Sequence, residues 1–290
     1  MKALSFWEIL WDIYPDKKFL GGAPLNFAAH FAKHGGDAYM MSALGNDELK
    51  NAALERIRAM RVHSEYIAVS DDRPTGRCLI TLDEDSIPHY DIVQNVAYDN
   101  IPFPDLSEGF DLLYFGTLAL RSEANLSVLK RLIKENNFSE ILADVNVRLP
   151  YCSKAAVLFT LENATVLKVS AEEMPIIAEF LSVPHPTDPV LFSKETARRY
   201  GNLKCIIITL GADGAYVLDC REGKEYSTPA LKSKVVSTVG AGDSFSASFI
   251  CLFLLKKDIQ HCLDHAARVA GFVVSEYDAV PDYKVEDLMP

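Results

Sequence analysis

Residues 237–243 read Ser237-Thr238-Val239-Gly240-Ala241-Gly242-Asp243, and an apolar run suited to a buried helix follows over residues 244–255. The preceding Lys234-Val235-Val236 is typical of a strand end. The two glycines allow a tight turn, so that free N–H groups and the positive end of the helix dipole attract an anion. Asp243 would lie beside that anion, an arrangement suited to phosphoryl transfer. The same residues also fit an ordinary Gly-rich turn in which Asp243 only starts the helix.

Length and composition describe an ordinary soluble globular protein. The 290 residues are 49% hydrophobic and 24% charged, enough for one large α/β domain or two smaller ones. A formal net charge of −11 argues against nucleic-acid and anionic membrane partners, and it means that a phosphate ligand needs local amides, Arg or Mg²⁺. The start resembles no signal peptide, and the longest apolar run, residues 247–255, is too short to span a bilayer. The six scattered cysteines predict reduced, mostly buried thiols, and we expect a cytoplasmic protein.

Strand-like and helix-like segments alternate along most of the chain. This pattern predicts an α/β fold, with a mostly parallel sheet covered by helices on both faces. A first strand is expected over residues 3–10, reaching Asp12. Short strand-like pieces over residues 67–96, with a turn at Asp83-Glu84-Asp85-Ser86, predict an inserted hairpin. Because ligands bind at the carboxyl ends of parallel strands, polar and glycine residues just past predicted strands are site candidates. They are Asp12, Gly116, Asp144, Ser170, Gly211 and Gly240.

Two separated Gly-rich elements together match a family pattern. The chain has no G-x-x-x-x-G-K-[ST] motif, and Phe245 breaks a G-x-G-x-x-G motif. The first element is Gly21-Gly22-Ala23-Pro24-Leu25-Asn26-Phe27-Ala28, followed by Gly35 and Gly45, and the second spans residues 237–250. The pair resembles the two signatures of the ribokinase-like (PfkB) carbohydrate kinases. Further stretches are similar to the fructokinase branch: Glu8-Ile9-Leu10-Trp11-Asp12, Pro74-Thr75-Gly76, Asn95-Val96-Ala97-Tyr98-Asp99 and Asp144-Val145-Asn146-Val147-Arg148.

The resemblance implies one kinase domain over residues 1–290, built as a three-layer α/β/α sandwich with a small β lid from residues 13–20 and 67–96. It implies ATP and Mg²⁺ as cofactors and a sugar as substrate, with D-fructose converted to fructose 6-phosphate as the favoured reaction. A homodimer formed through the lid is expected from the family. Two alternatives stay open: a kinase for another sugar or a nucleoside, and a catalytically weak relative that binds sugar as a regulator.

The same resemblance assigns roles to individual residues. Asp243 takes the proton of the attacking hydroxyl, while the turn Gly240-Ala241-Gly242 stabilises the transferring phosphoryl group. Asp12 and Asn26, whose carboxylate and amide suit vicinal hydroxyls, bind the sugar beside Gly21 and Gly22. A strand-end Asp, a plain turn and a helix-surface Asn would be the ordinary explanation of these four residues.

Further assignments follow for the anionic ligands. Arg148 is expected to reach phosphate or sugar oxygens, and a surface Arg beside Pro150 is the alternative. The nucleotide residues are Ser170, Thr209, Gly211, Gly214 and Gly242; a plain β-turn is the alternative for the 209–214 segment. Glu173 would organise Mg²⁺ through water.

Several positions depart from the family pattern. Ser170 replaces the usual Asn, Ser237 an Asp, Asp278 a Gly, and Trp7 the Gly before Glu8, while Ala267 stands where Asn or His is common near the adenine. Ser237 and Asp278 call the family's activation by K⁺ into question. The pairs His30/His34 and His261/His265 have zinc-like spacing, but without a third ligand we expect ordinary helix-surface histidines.

Overall fold

A computed structural model describes residues 1–82 and 88–290, and over those residues two β-sheets are present. The larger sheet has nine strands in the order β13-β12-β11-β10-β9-β8-β1-β4-β5. Strands β1 to β11 of this sheet run parallel, and β12 and β13 are antiparallel at one edge. The strand bounds are β1 Lys2–Phe6, β2 Leu10–Ile13, β3 Lys18–Gly21, β4 Asp37–Gly45, β5 Ile67–Ser70, β6 Gly76–Leu82, β7 Pro88–Ile92, β8 Leu112–Gly116, β9 Glu140–Asp144, β10 Val166–Ser170, β11 Cys205–Thr209, β12 Ala215–Asp219 and β13 Lys224–Thr228.

Helices cover both faces of the larger sheet. They are α1 Ala23–Lys33, α2 Glu48–Ala59, α3 Glu123–Glu135, α4 Lys154–Asn163, α5 Met174–Leu181, α6 Pro189–Arg199, α7 Ala241–Leu254 and α8 Ile259–Val273. Strand residues alternate between the two cores, as the strand period of two requires: Ile206 packs with α3 to α6, and Ile207 packs with α1, α2, α7 and α8. The predicted three-layer α/β/α sandwich is therefore confirmed. The helices α5 and α6 were not expected from the sequence.

The smaller sheet has the order β3-β2-β6-β7, and its residues Leu10, Cys78 and Ile80 join one of the two buried cores of the sandwich. The predicted lid composition is wrong at one point. Strand β5 pairs in parallel with β4, Ser42 opposite Ile67, so residues 67–70 extend the large sheet and the inserted strands begin at Gly76. The predicted turn at Asp83-Glu84-Asp85-Ser86 lies outside the described residues.

The predicted first strand over residues 3–10 is in fact two strands in different sheets. Trp7 follows β1 directly and has φ of 132°, a backbone conformation that is strained for any residue other than glycine. The strain is held by packing, because Trp7 is fully buried and meets Tyr98 edge-on at 6.1 Å. The chain then turns into β2, so Asp12 lies within the small sheet and not at the end of a strand of the large one.

The stretch before Ser237 also differs from the prediction. Residues 229–240, which lie between β13 and α7, form no strand, and Val235 and Val236 are exposed. This segment is held by a hydrogen bond from the Val236 N–H to the Val274 carbonyl at 2.8 Å. The segment that leads into the Gly240 turn is therefore tied to the end of α8. In the parts of the chain that are described, no helix is long and apolar enough to cross a membrane.

Candidate active site

The start of helix α7 meets helix α1 at a buried hydrogen bond. The Asn26 Nδ2 donates to the Asp243 Oδ2 at 2.9 Å, although the two residues are 217 positions apart. Burial raises the pKa of Asp243 to about 6, and the Asn26 hydrogen bond opposes part of this rise by favouring the charged form. The structure thus joins the proposed base to a proposed sugar residue.

The turn before Asp243 depends on Gly240. Its φ of 81° is left-handed, and a Cβ at this position would lie 2.5 Å from the Ala279 carbonyl oxygen, so only glycine fits. The Ala241 N–H, which we expected to be free for an anion, donates to the Thr238 carbonyl at 3.3 Å. Among the described residues, the N–H groups of Gly242 and Asp243 have no acceptor. The unpaired N–H groups of this turn therefore lie one residue later than the sequence predicted.

The predicted sugar residues Asp12, Gly21 and Gly22 lie together where β2 and β3 pair. A Cβ on Gly21 would be 3.1 Å from the Asp12 Oδ2, so its absence leaves the carboxylate accessible at this point. Gly22 has φ of 115°, and a Cβ there would be 2.4 Å from the Glu8 carbonyl oxygen. Burial raises the pKa of Asp12 to about 6, while a hydrogen bond with the Cys78 thiol opposes the rise.

Glu8 is a further candidate for this site, with no role predicted from the sequence. It is buried, its Oε1 accepts the Ala23 N–H at the start of α1 at 3.1 Å, and burial raises its pKa to about 7. The negative charge of Asp243 adds to this rise. The sequence signal for Glu8 was an acidic residue between the apolar residues Trp7 and Ile9, in the short connection from β1 to β2.

Arg148 is exposed, and its Nη1 donates to the neighbouring Val147 carbonyl at 3.1 Å. Its charge lowers the pKa values of Glu8, Asp144 and Asp243, so it faces the same end of the sheet. The structure does not bring Arg148 into contact with Asp243, Asp12 or Asn26.

A buried ion pair lies behind the turn. The Lys168 Nζ donates to both carboxylate oxygens of Asp144 at 3.1 and 2.9 Å, and the Ser246 Oγ on α7 lies 3.4 Å from the Asp144 Oδ2. Both charged residues end or nearly end neighbouring parallel strands, β9 and β10. Lys168 was missed because a lysine in a strand is ordinarily a surface residue.

A cavity of about 920 Å³ opens on the other side of the turn. It contains four of the five predicted nucleotide residues, namely Thr209, Gly211, Gly214 and Gly242, together with Ala241 and Ala267. Small residues of α8, Ala270 and Gly271, form one wall. Ser170, the fifth, does not line this cavity; its N–H donates to Glu173 Oε2 at 2.7 Å.

The model of the pfkB family of carbohydrate kinases matches residues 16–284. The chain belongs to this family. Probable fructokinase-5 of Arabidopsis thaliana is 26% identical over 272 residues, which cover 85% of this chain and 81% of that protein. Fructosamine kinase FrlD of Bacillus subtilis is 28% identical over 302 residues, covering 99% of this chain and 96% of its own.

A solved structure shows the same fold. The fructokinase from Vibrio cholerae O395, in its fructose-, ADP- and calcium-bound form, gives a TM-score of 0.83 at 20% identity and covers 99% of this chain and 97% of its own. The sandwich with its smaller sheet is therefore the ribokinase-like fold, and this chain is a carbohydrate kinase of the pfkB family.

Glu173 of this pfkB kinase suits an indirect role toward a divalent ion. Its carboxylate is fixed by two backbone N–H donors, those of Val147 and Ser170. Across residues 1–82 and 88–290, no group of three His, Cys, Asp or Glu side chains is arranged to hold a metal ion. Such a site fits Mg²⁺ held mainly by phosphates and water, since Mg²⁺ keeps several waters.

The positions that departed from the family pattern near the turn are engaged locally. The Asp278 Oδ1 accepts the Val280 N–H at 3.1 Å, and its Oδ2 lies 3.8 Å from the Arg56 Nη2. The Ser237 Oγ accepts the Val239 N–H at 3.3 Å. Asp278 is therefore oriented by its own turn and by Arg56.

The prediction of ordinary helix-surface histidines is wrong for two of the four. His30 and His265 are fully buried, because the C-terminal segment covers them. His30 contacts the Tyr283 hydroxyl at 2.7 Å and the Ala279 carbonyl at 2.9 Å, and the His34 and His265 Nε2 atoms lie 2.9 Å apart. Burial lowers the pKa values of His30 and His265, to about 3 and about 4. These histidines fix the C-terminal segment in place. All six cysteines are free, and five are buried, as expected.

Proposed function

We propose that this kinase transfers the γ-phosphoryl group of ATP to the 6-hydroxyl of D-fructose, with Asp243 as general base. One observation carries the proposal: Asp243 stands between the two ligand sides. On one side it is bonded to Asn26, and on the other the adjacent Gly242 lines the 920 Å³ cavity. A base in this position reaches a sugar hydroxyl and lies next to a phosphoryl group at the same time.

The surroundings of Asp243 suit a base that works near neutral pH. With a pKa of about 6, it is mostly ionised at pH 7 and is a stronger base than an exposed aspartate. The oxygen of the sugar hydroxyl would form a bond to the γ-phosphorus while its proton passes to Asp243. The bond from that phosphorus to the β,γ-bridging oxygen would break at the same time, and ADP would leave. The unpaired N–H groups of Gly242 and Asp243 would stabilise the phosphoryl oxygens.

The cavity supports ATP as the second substrate. Its volume and its wall of Ala267, Ala270 and Gly271 leave room for a flat base, and Thr209 and Gly214 also line it. Mg²⁺, when bound, would neutralise phosphate charge, and the residue we assign to its water shell is Glu173. A requirement for K⁺ is not part of the proposal, since Asp278 is turned toward Arg56.

The charges of the sugar side favour a neutral substrate. Asp12, Glu8 and Asp243 all have raised pKa values, so this region already disfavours negative charge, and Arg148 is its exposed cation. A neutral ketose fits better than a sugar acid. The relatives named as fructokinase and as fructosamine kinase both support a ketose-like acceptor, and the latter makes fructosamines the second substrate class to test.

The test is coupled ADP release with Mg·ATP and a panel of sugars, fructosamines, sugar acids and nucleosides, with and without K⁺. We expect fructose-dependent turnover that Asp243→Ala abolishes without changing the melting temperature by more than a few degrees. No turnover with any acceptor, while calorimetry still detects sugar binding, would refute the kinase proposal and leave a sugar-binding regulator.

The small sheet is proposed to act as a lid and as the contact of a homodimer. Leu79 and Tyr90, on β6 and β7, are 40% and 57% exposed, which a partner subunit would cover. Light scattering after size exclusion should give about twice the mass of the 32.2 kDa chain. A monomeric protein that turns over fructose would refute the homodimer.

A further inference from the structure

The buried pair of Lys168 and Asp144 lies against the anion-binding turn. A Cβ on Gly242 would be 3.0 Å from the Lys168 Nζ, which puts the ammonium group at the first turn of α7. The side chains of Lys168 and Asp144 are 8% and 2% exposed. Asp144 accepts two of the three hydrogen-bonding protons of the ammonium group, and no other described residue accepts the third.

Burial opposes the charge of Lys168, but the neighbouring carboxylates, that of Asp144 foremost, raise its pKa and keep it charged. The start of a helix carries partial positive charge, so a cation there is repelled by the helix dipole. Burying an ion pair is also costly, and well-packed apolar residues in its place are often at least as stable. Stability alone therefore gives little reason for a lysine at this point, whereas an anion bound at the Gly242 and Asp243 amides would be attracted by both charges.

We propose that Lys168, held by Asp144, is a positioning residue that adds positive charge behind the turn and so favours the γ-phosphoryl group of ATP. This inference rests on the proposed kinase function and extends it to residues that had no role. Lys168 supplies the charge, and Asp144 fixes the ammonium against Gly242 and keeps it from attracting the catalytic carboxylate too strongly.

Several groups face Asp243, and together they determine how the pair affects it. They are Asn26 of α1, Glu8 between β1 and β2, Asp144 of β9, Lys168 of β10 and Arg148 in the loop after β9. The charge of Asp144 raises the pKa of Asp243, and the charges of Lys168 and Arg148 lower it. Removing the Asp144 charge alone should therefore shift the acid limb of the kcat/KM profile to lower pH.

The decisive variant is the neutral pair D144N/K168Q, which keeps an amide–amide hydrogen bond and leaves no unpaired buried charge. We expect a melting temperature close to wild type and a kcat at least about 10-fold lower, with the KM for fructose unchanged, since loss of one anion-stabilising group costs about 100-fold or more when it contacts the anion directly. Calorimetry should show ATP binding about 10-fold weaker and ADP binding unchanged, because only ATP carries the γ-phosphate.

The matched control is E140Q/K204Q. Lys204 Nζ and Glu140 Oε1 form an ion pair of 3.0 Å at the opposite end of β9, and this variant should keep wild-type turnover and ATP affinity. Equal effects on ATP and ADP, or wild-type kcat and ATP affinity in D144N/K168Q, would overturn the inference. A wild-type protein without sugar turnover would instead refute the proposed function, and the ATP-against-ADP comparison would still decide the role of Lys168.

Discussion

Replacing Asn26 by Ala should change the pH dependence of the reaction in a way that loss of a sugar contact alone would not. The Asn26 Nδ2 donates to the Asp243 Oδ2 at 2.9 Å, and this bond favours the ionised base. A hydrogen bond to a charged group contributes about 1.5–3 kcal/mol, and one pKa unit corresponds to about 1.4 kcal/mol. The pKa of Asp243 should therefore rise by roughly 1 to 2 units from its value of about 6.

The consequence can be followed through the protonation of Asp243. At pH 7 the ionised fraction should fall from about nine tenths to between about one half and one tenth, whereas at pH 9 it stays close to one. The assay is coupled ADP release with fructose from pH 5.5 to 9, analysed as kcat/KM. Loss of the sugar contact lowers kcat/KM by the same factor at every pH, so the extra loss at pH 7 isolates the effect on the base.

A matched control is Asn46→Ala, because the Asn46 Nδ2 also donates to an aspartate, the Asp71 Oδ1, at 2.8 Å, but at the surface. This control should leave the acid limb in place. If Asn26→Ala lowers kcat/KM by one constant factor across the whole pH range, the assignment of the acid limb to Asp243 is refuted.

Three further predictions concern Glu8, Gly240 and Ala270. Burial raises the pKa of Glu8 from 4.5 to about 7, so between these pH values the folded protein keeps a proton that the unfolded chain releases, and it loses stability as pH rises. Glu8→Gln should therefore raise the free energy of unfolding at pH 8 by up to about 3 kcal/mol and leave it unchanged at pH 4. Urea titrations that show no gain at pH 8 would contradict this. Gly240→Ala should lower the free energy of unfolding by more than the roughly 1–2 kcal/mol of a left-handed backbone and should lower kcat. Gly35→Ala, with φ of 80° and nothing within 4 Å, should lower it only by that backbone strain. Equal melting temperatures for the two variants would contradict the argued clash with Ala279. Ala270→Phe should fill the cavity and raise the KM for ATP at least about 10-fold with the KM for fructose unchanged, and an unchanged KM for ATP would place the nucleotide elsewhere.

The local elements were predictable wherever the chain carries its own signals. The run after Gly242 and the segment after Pro24 formed helices close to the predicted positions, because apolar spacing and turn residues act over a few positions. The boundary at Trp7 could not be predicted, since a buried Trp at positive φ is stabilised by distant packing on Tyr98. The segment over residues 67–70 was assigned to the wrong sheet for a related reason: a strand's partner is a long-range choice.

The sequence by itself determined the family, the order of the layers and the two glycine-rich turns, because these depend on residue type and spacing along the chain. Only the tertiary structure decided which charges meet. It joined Asn26 to Asp243 across 217 positions, buried Glu8 at the start of α1 and set Lys168 and Asp144 behind Gly242. The physical reason is that desolvation and charge pairing depend on what surrounds a group in three dimensions, and no spacing along the chain records those surroundings.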